Sequence, residues 1–133
     1  MFRLDIEPRF SDTDALGHIS NTVFPVWFEA ARAPLFKIFH PSQELHSWPL
    51  ILARVELDLL AQTFLGKAIE IHSYIGKLGT SSCQVQQEAW QDGKLVAKGL
   101  AIMVYFDYAN ERSMPIPGGI RAQLNEHLKC EHI

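Results

Sequence analysis

The feature that most constrains this chain is a helix-periodic stretch with a heavily apolar face. Between Thr22 and Phe39 the residues Phe24, Trp27, Phe28, Ala31, Leu35, Ile38 and Phe39 recur at spacings of three and four, the repeat of one side of an α-helix. Asn21 or Thr22 can cap its start. Pro25 falls in the first turn, where its missing N–H has no intrahelical partner. Pro34 falls in the interior and deletes a backbone bond, which predicts a kink, or an end near Ala33 and a restart. A helix this apolar has to be wrapped by other structure.

The rest of the chain supplies the wrapping. Phe2–Phe10 alternates weakly and suggests a first strand. Ala53–Ala61, Ala68–Ile75, Gln84–Gln91 and Lys94–Tyr105 follow the helix, and most show a period-two pattern, the signal of strands with one buried face. Asp92-Gly93 between the last two is a strong hairpin signal. Ser11–Ser20 and His40–Pro49 read as loops, Pro115–Gly119 as a breaker and Ile120–Leu128 as a short terminal helix. The expected fold is α+β: a strand, a long central helix, then four strands in a meander, forming one antiparallel sheet around the helix. A chain of 133 residues fits one domain, 1–133.

Composition narrows the partners. With 47% hydrophobic and 20% charged residues the chain is ordinary for a globular protein, and a net charge of −3 offers no footprint for nucleic acid. Cys83 and Cys130 are too few for a disulfide scaffold and lack metal spacing, so they read as reduced thiols. Met1–Asp5 lacks the order of a signal peptide, and no apolar run approaches the roughly 18 residues of a membrane span. The expectation is a cytoplasmic protein without a membrane partner.

Polar chemistry concentrates in one place. Arg9, Ser11, Asp12, Thr13, Asp14, His18, Ser20 and Asn21 crowd the loop just before the helix. Aspartates are ordinarily ionised at neutral pH, and a carboxylate can serve as nucleophile or as base toward water. The helix start near Asn21 offers free backbone N–H groups and the positive dipole end, which suit a developing oxyanion. On residue types alone, a D-x-D before a helix is more often capping than catalysis, and a lone histidine such as His18 more often packs or turns. No further ligand recurs at metal spacing.

Arg9-Phe10-Ser11-Asp12-Thr13-Asp14-Ala15-Leu16-Gly17-His18-Ile19-Ser20-Asn21 resembles the signature R-[FY]-x-[DE]-x-D-x-x-G-H-[VI]-[NS]-N of the hot-dog-fold acyl-CoA thioesterases, the 4-hydroxybenzoyl-CoA thioesterase-like family. Phe24 and Trp27-Phe28-Glu29-Ala30-Ala31-Arg32 are similar to its Y-x-x-[YW]-[FL]-E-x-A-R. Val55–Asp58, Gly76–Ser82, Asp92–Ala97 and Pro115–Pro117 fall where strands and turns of the family fall.

The resemblance implies a hot-dog fold and hydrolysis of an acyl-CoA thioester. Asp14 would be nucleophile or general base, with the Asn21 amide, and that of Thr22, polarising the carbonyl. His18 would shape the loop or touch substrate, Asp12 would be structural, and no metal or redox cofactor is expected. It further implies a homodimer or homotetramer with the site between subunits, and Lys77, Ser81 and Ser82 as pantetheine or phosphate contacts. A non-catalytic acyl-CoA-binding protein and an acyl-carrier-protein thioesterase are the alternatives it leaves. The chain departs from the family at Phe24, where tyrosine is common, at Ser20, where asparagine is, and at Pro34.

Overall fold

A computed structural model describes residues 1–129; Cys130 lies outside them. The strands are β1 (Phe2–Ile6), β2 (Leu50–Leu59), β3 (Ile69–Leu78), β4 (Ser82–Gln91), β5 (Lys94–Asp107) and the short β6 (Arg112–Ser113). The helices are α1 (Phe24–Ala31), α2 (Ala33–Phe39) and α3 (Gly118–Asn125), with single 3-10 turns at Phe10–Asp12, Asn21–Val23 and Leu45–Ser47. No helix among the described residues is long and apolar enough to cross a membrane.

The α+β hot-dog architecture expected from the sequence is present. One antiparallel sheet runs in the order β1-β3-β4-β5-β2, with β6 beside β5. The four-strand meander is corrected. Only β3, β4 and β5 follow one another, while β2 pairs with β5 on the far edge and β1 pairs with β3. Period two shows that a strand has two faces, but not which strand becomes its neighbour. The Asp92-Gly93 hairpin forms, with φ of +56° and +76° at its two central residues, the backbone sign of a type I′ turn.

The central helix breaks where Pro34 predicts. Arg32 ends α1 and precedes α2 with φ −84° and ψ −4°, and Pro34 sits in the first turn of α2. Two apolar clusters follow from the break. Phe24, Trp27, Phe28 and Ala31 pack with Ile69, Ile71, Ala89 and Val96, and Leu35 and Phe39 pack with Ile75, Val85, Ala101 and Leu124.

Several boundaries move. β1 stops at Ile6 rather than Phe10, because Pro8 lacks a donor and Arg9 already enters the Phe10–Asp12 turn. β2 begins at Leu50, and a bulge between Leu52 and Arg54 resets its phase. The terminal helix begins two residues early and ends at Asn125. The expectation of one buried face fails for most of β2. Val55 is 52% exposed and Leu59 44%, because the strand lies on the sheet edge and α1 covers it only in part.

Candidate active site

The loop between β1 and α1 folds as two short turns that treat their aspartates differently. In the first, the Arg9 amide donates to Asp12 Oδ2 at 2.8 Å, and the Arg9 guanidinium donates to Oδ1 at 3.1 Å and Oδ2 at 3.4 Å. The Asp12 carbonyl accepts the Ser20 amide at 2.8 Å. Asp12 is 2% exposed, and the Arg9 guanidinium's hydrogen bond holds its carboxyl below the usual carboxylate range against the opposing pull of burial. Both its oxygens are committed to the loop.

The second turn runs from Asp14 to His18. The Asp14 amide donates to the His18 carbonyl at 2.7 Å, and Thr13 bridges Ile19 across it. Gly17 supplies the φ of +83° that lets the chain reverse. Asp14 Oδ1 accepts the Leu16 and His18 amides at 2.8 and 3.1 Å. Its Oδ2 has no hydrogen-bond partner among the described residues, and the residue is exposed. One oxygen orients the carboxylate and the other is left for chemistry.

The following residues make the helix entrance. Ser20, not Asn21 or Thr22, caps the Asn21–Val23 3-10 turn that leads into α1: its Oγ accepts the Thr22 amide at 3.3 Å, and its carbonyl accepts the Val23 amide at 3.2 Å. The Thr22 amide is therefore engaged, while the Asn21 amide has no acceptor among the described residues. The α-helix itself starts only at Phe24, after Val23, and has no side-chain cap. The His18 ring packs edge-on against Phe64, centroids 5.3 Å apart, and makes no hydrogen bond to Asp14.

Asp14, His18 and Asn21 line one groove of about 440 Å³. Its opposite wall is Leu59–Thr63, the end of β2 and the chain beyond it, which sequence reasoning missed. The wall is fixed by the Ile19 amide donating to the Thr63 carbonyl at 2.8 Å and by the buried Gln91. The Gln91 amide group exchanges hydrogen bonds with both backbone groups of Phe64 and donates to the Lys67 carbonyl. Gln91 follows Cys83, Val85 and Ala89 in the buried phase of β4. A polar residue in that phase is a signal the sequence does carry.

The other predicted contacts lie elsewhere. Lys77 is the next-to-last residue of β3, Ser81 lies in the turn after it and Ser82 opens β4, whose opposite end carries Gln91. A strand of ten residues spans roughly 30 Å, so one copy of the chain does not bring them to Asp14. Thr22 stands beside the groove without lining it. Cys83 is buried, and burial pushes its thiol up to about 12, which removes it as a nucleophile at neutral pH. Among the described residues no group of three or more His, Cys, Asp or Glu side chains is arranged to hold a metal ion.

The sequence model of the thioesterase-like superfamily matches residues 8–124, from the start of the Arg9 turn to the last turn of α3. The chain belongs to the thioesterase-like superfamily. Its structure is similar to that of a predicted thioesterase from Bacillus stearothermophilus, with a TM-score of 0.94, 37% identity and 98% of each chain covered. It is also similar to a thioesterase from Thermus thermophilus solved in complex with coenzyme A and Zn: TM-score 0.83, 31% identity, 94% of this chain and 92% of that one. The uncharacterized protein YsmA of Bacillus subtilis (strain 168) is 29% identical over 77 residues, 58% of this chain and 52% of its own length. The match thus spans about half of that curated relative. Membership of the thioesterase-like superfamily supports thioester hydrolysis as the general chemistry.

Proposed function

We propose that this chain, as one hot-dog domain over residues 1–133, hydrolyses an acyl-CoA thioester to a free acid and coenzyme A. The observation that carries the proposal is the pairing in one groove of a half-free carboxylate with an unengaged helix-entrance amide. The thioester carbonyl oxygen accepts the Asn21 N–H, which stabilises the oxyanion as it forms. Asp14 then acts by one of two balanced routes. Its Oδ2 adds to the carbonyl carbon, the C–S bond breaks, thiolate leaves, and water cleaves the resulting anhydride. Alternatively it takes a proton from water, hydroxide adds, and the thiolate leaves and is protonated. Asp12 holds the loop, and His18 closes the turn that aims Asp14.

The site is read as shared between two copies. Val55 and Leu59 on β2 present an unpaired, apolar edge, which a second copy can cover by antiparallel strand pairing. A two-fold pairing turns the second copy end for end. Its Lys77, Ser81 and Ser82 then come to the same end of the sheet as the first copy's Asp14, where they suit the phosphates of coenzyme A. Sedimentation as a single copy at micromolar concentration would remove this part of the proposal.

A panel of aromatic, short, medium and long acyl-CoAs, followed by thiol trapping, tests the reaction. Release of stoichiometric coenzyme A from at least one class is expected. Tight binding across the panel without thiol release would instead identify a non-catalytic acyl-CoA binder.

A further inference from the structure

Arg32 stands at the break between α1 and α2, and its side chain is packed into the layer between helix and sheet. It is 5% exposed. Its Nη1 donates to Gln87 Oε1 at 3.2 Å. Gln87 Nε2 in turn donates to the Phe28 carbonyl at 2.8 Å and to Ser73 Oγ at 3.0 Å. Arg32 Nε is buried with no partner, and no carboxylate lies within ion-pair distance of Arg32 among the described residues. A buried cation without a counter-ion, carrying an unmet donor, is costly. Desolvation lowers its proton affinity, and the charge of Glu29 offsets this only in part.

The unmet donor belongs to a residue that lines a cavity. Pro25, Phe28, Glu29 and Arg32, spaced three and four apart, form one face of α1 and line a space of about 110 Å³ with Val55 and Gln87. This face begins one turn past Asn21 and ends at Arg32, eleven residues on. At 1.5 Å per residue that is roughly 16 Å of backbone. The cavity shares no lining residue with the Asn21 groove, so a chain whose thioester sits at the Asn21 amide would have to run along this face of α1 to reach Arg32 and Gln87.

We propose that Arg32 and Gln87 form a polar end-stop that selects acyl groups carrying a neutral oxygen acceptor, a hydroxyl or keto oxygen, toward their distal end. The proposal rests on the Asp14–Asn21 groove as the seat of the thioester. A guanidinium has only donors, so the group it selects must accept. A plain alkyl end leaves Nε unpaired. A carboxylate end would supply the missing counter-ion, but it would have to be desolvated beside Glu29, whose charge already offsets that of Arg32 in part, so the neutral acceptor is favoured over the anion.

Non-hydrolysable thioethers of coenzyme A test this by calorimetry, as a ladder of matched lengths with alkyl, ω-hydroxyalkyl and ω-carboxyalkyl tails. At the best-fitting length the wild type should bind the hydroxyl analogue about tenfold tighter than the alkyl one, about 1.4 kcal/mol, and the carboxylate analogue no better than the alkyl. Arg32→Met should bring the hydroxyl-to-alkyl ratio to about one. Arg32→Lys, which keeps a donor, should retain part of it and serves if the methionine variant does not fold. Equal hydroxyl and alkyl affinities in the wild type at every length would overturn the proposal. So would an Arg32→Met protein that weakens both analogues equally and keeps the ratio, the mark of a purely structural pin. Binding needs no turnover. A protein that keeps the preference but releases thiol from no thioester would remove the proposed reaction alone; a hydrolase without the preference would remove this subsite alone.

Discussion

Asp12 and Asp14 stand two residues apart in the same loop, and the fold uses them in opposite ways. Asp12 is buried, and Arg9 takes both its oxygens. Asp14 is exposed, tied through Oδ1 to two amides. A carboxylate whose acceptors are all satisfied internally can shape a loop but has nothing left with which to attack or deprotonate. One that is oriented through a single oxygen keeps the other for an external atom. The difference lies in how far each hydrogen-bond capacity is spent, not in residue type or in closeness to the helix.

The largest separation between the two turns is expected in turnover. Asp14→Asn keeps an Oδ1 acceptor for the Leu16 and His18 amides but loses the charge. It should lower kcat by at least about a thousandfold with little change in melting temperature, measured by thiol trapping beside thermal denaturation.

Asn21→Pro sharpens the same contrast through the backbone. Ser20 already has φ −64° and ψ 137°, which suits a residue before proline, and Asn21 opens a helical turn, where proline is tolerated. The substitution removes the unengaged N–H together with the side chain of this groove residue and should cost about a hundredfold to a thousandfold in kcat. Asn21→Ala, which keeps that N–H, should cost far less.

Asp12→Asn should behave in the reverse manner. Losing the charge of a buried carboxylate whose partner, the Arg9 guanidinium, is itself exposed should cost about 1–2 kcal/mol of stability and leave turnover per folded molecule within a few-fold. Because Asp12's folded pKa lies below its unfolded value, near ~3.9, its contribution is complete above that pH and is lost as the pH falls through the folded value. Denaturation below about pH 4 should therefore be less steep in Asp12→Asn than in the wild type. An unchanged acid limb would show that the Arg9 pairing contributes nothing to the fold.

Much of this was legible beforehand. The apolar stripe of α1, the break at Pro34 and the Asp92-Gly93 hairpin are local signals, and local sterics decide them. The nearness of Asp14, His18 and Asn21 follows from their crowding in one short loop. The remaining features were legible in part or not at all. The placement of β2 beside β5 and the Leu59–Thr63 wall depend on long-range pairing, which period two does not encode. The separation of Lys77, Ser81 and Ser82 from Asp14 depends on strand direction, hence on the same pairing. The Arg32–Gln87–Ser73 network was half visible, since Gln87 and Ser73 occupy the buried phases of β4 and β3. Polar residues in a buried phase mark places where the interior is built for hydrogen bonding.

The most direct measurement of the contrast sets Asp14→Asn against Asp12→Asn in one experiment. Single-turnover thiol release would be followed under enzyme excess, with an acyl-CoA that the wild type hydrolyses, and normalised to folded protein. The account predicts that Asp12→Asn releases thiol within a few-fold of the wild-type rate while Asp14→Asn falls at least about a thousandfold below it. An Asp14→Asn protein that releases thiol at the wild-type rate would contradict the central claim.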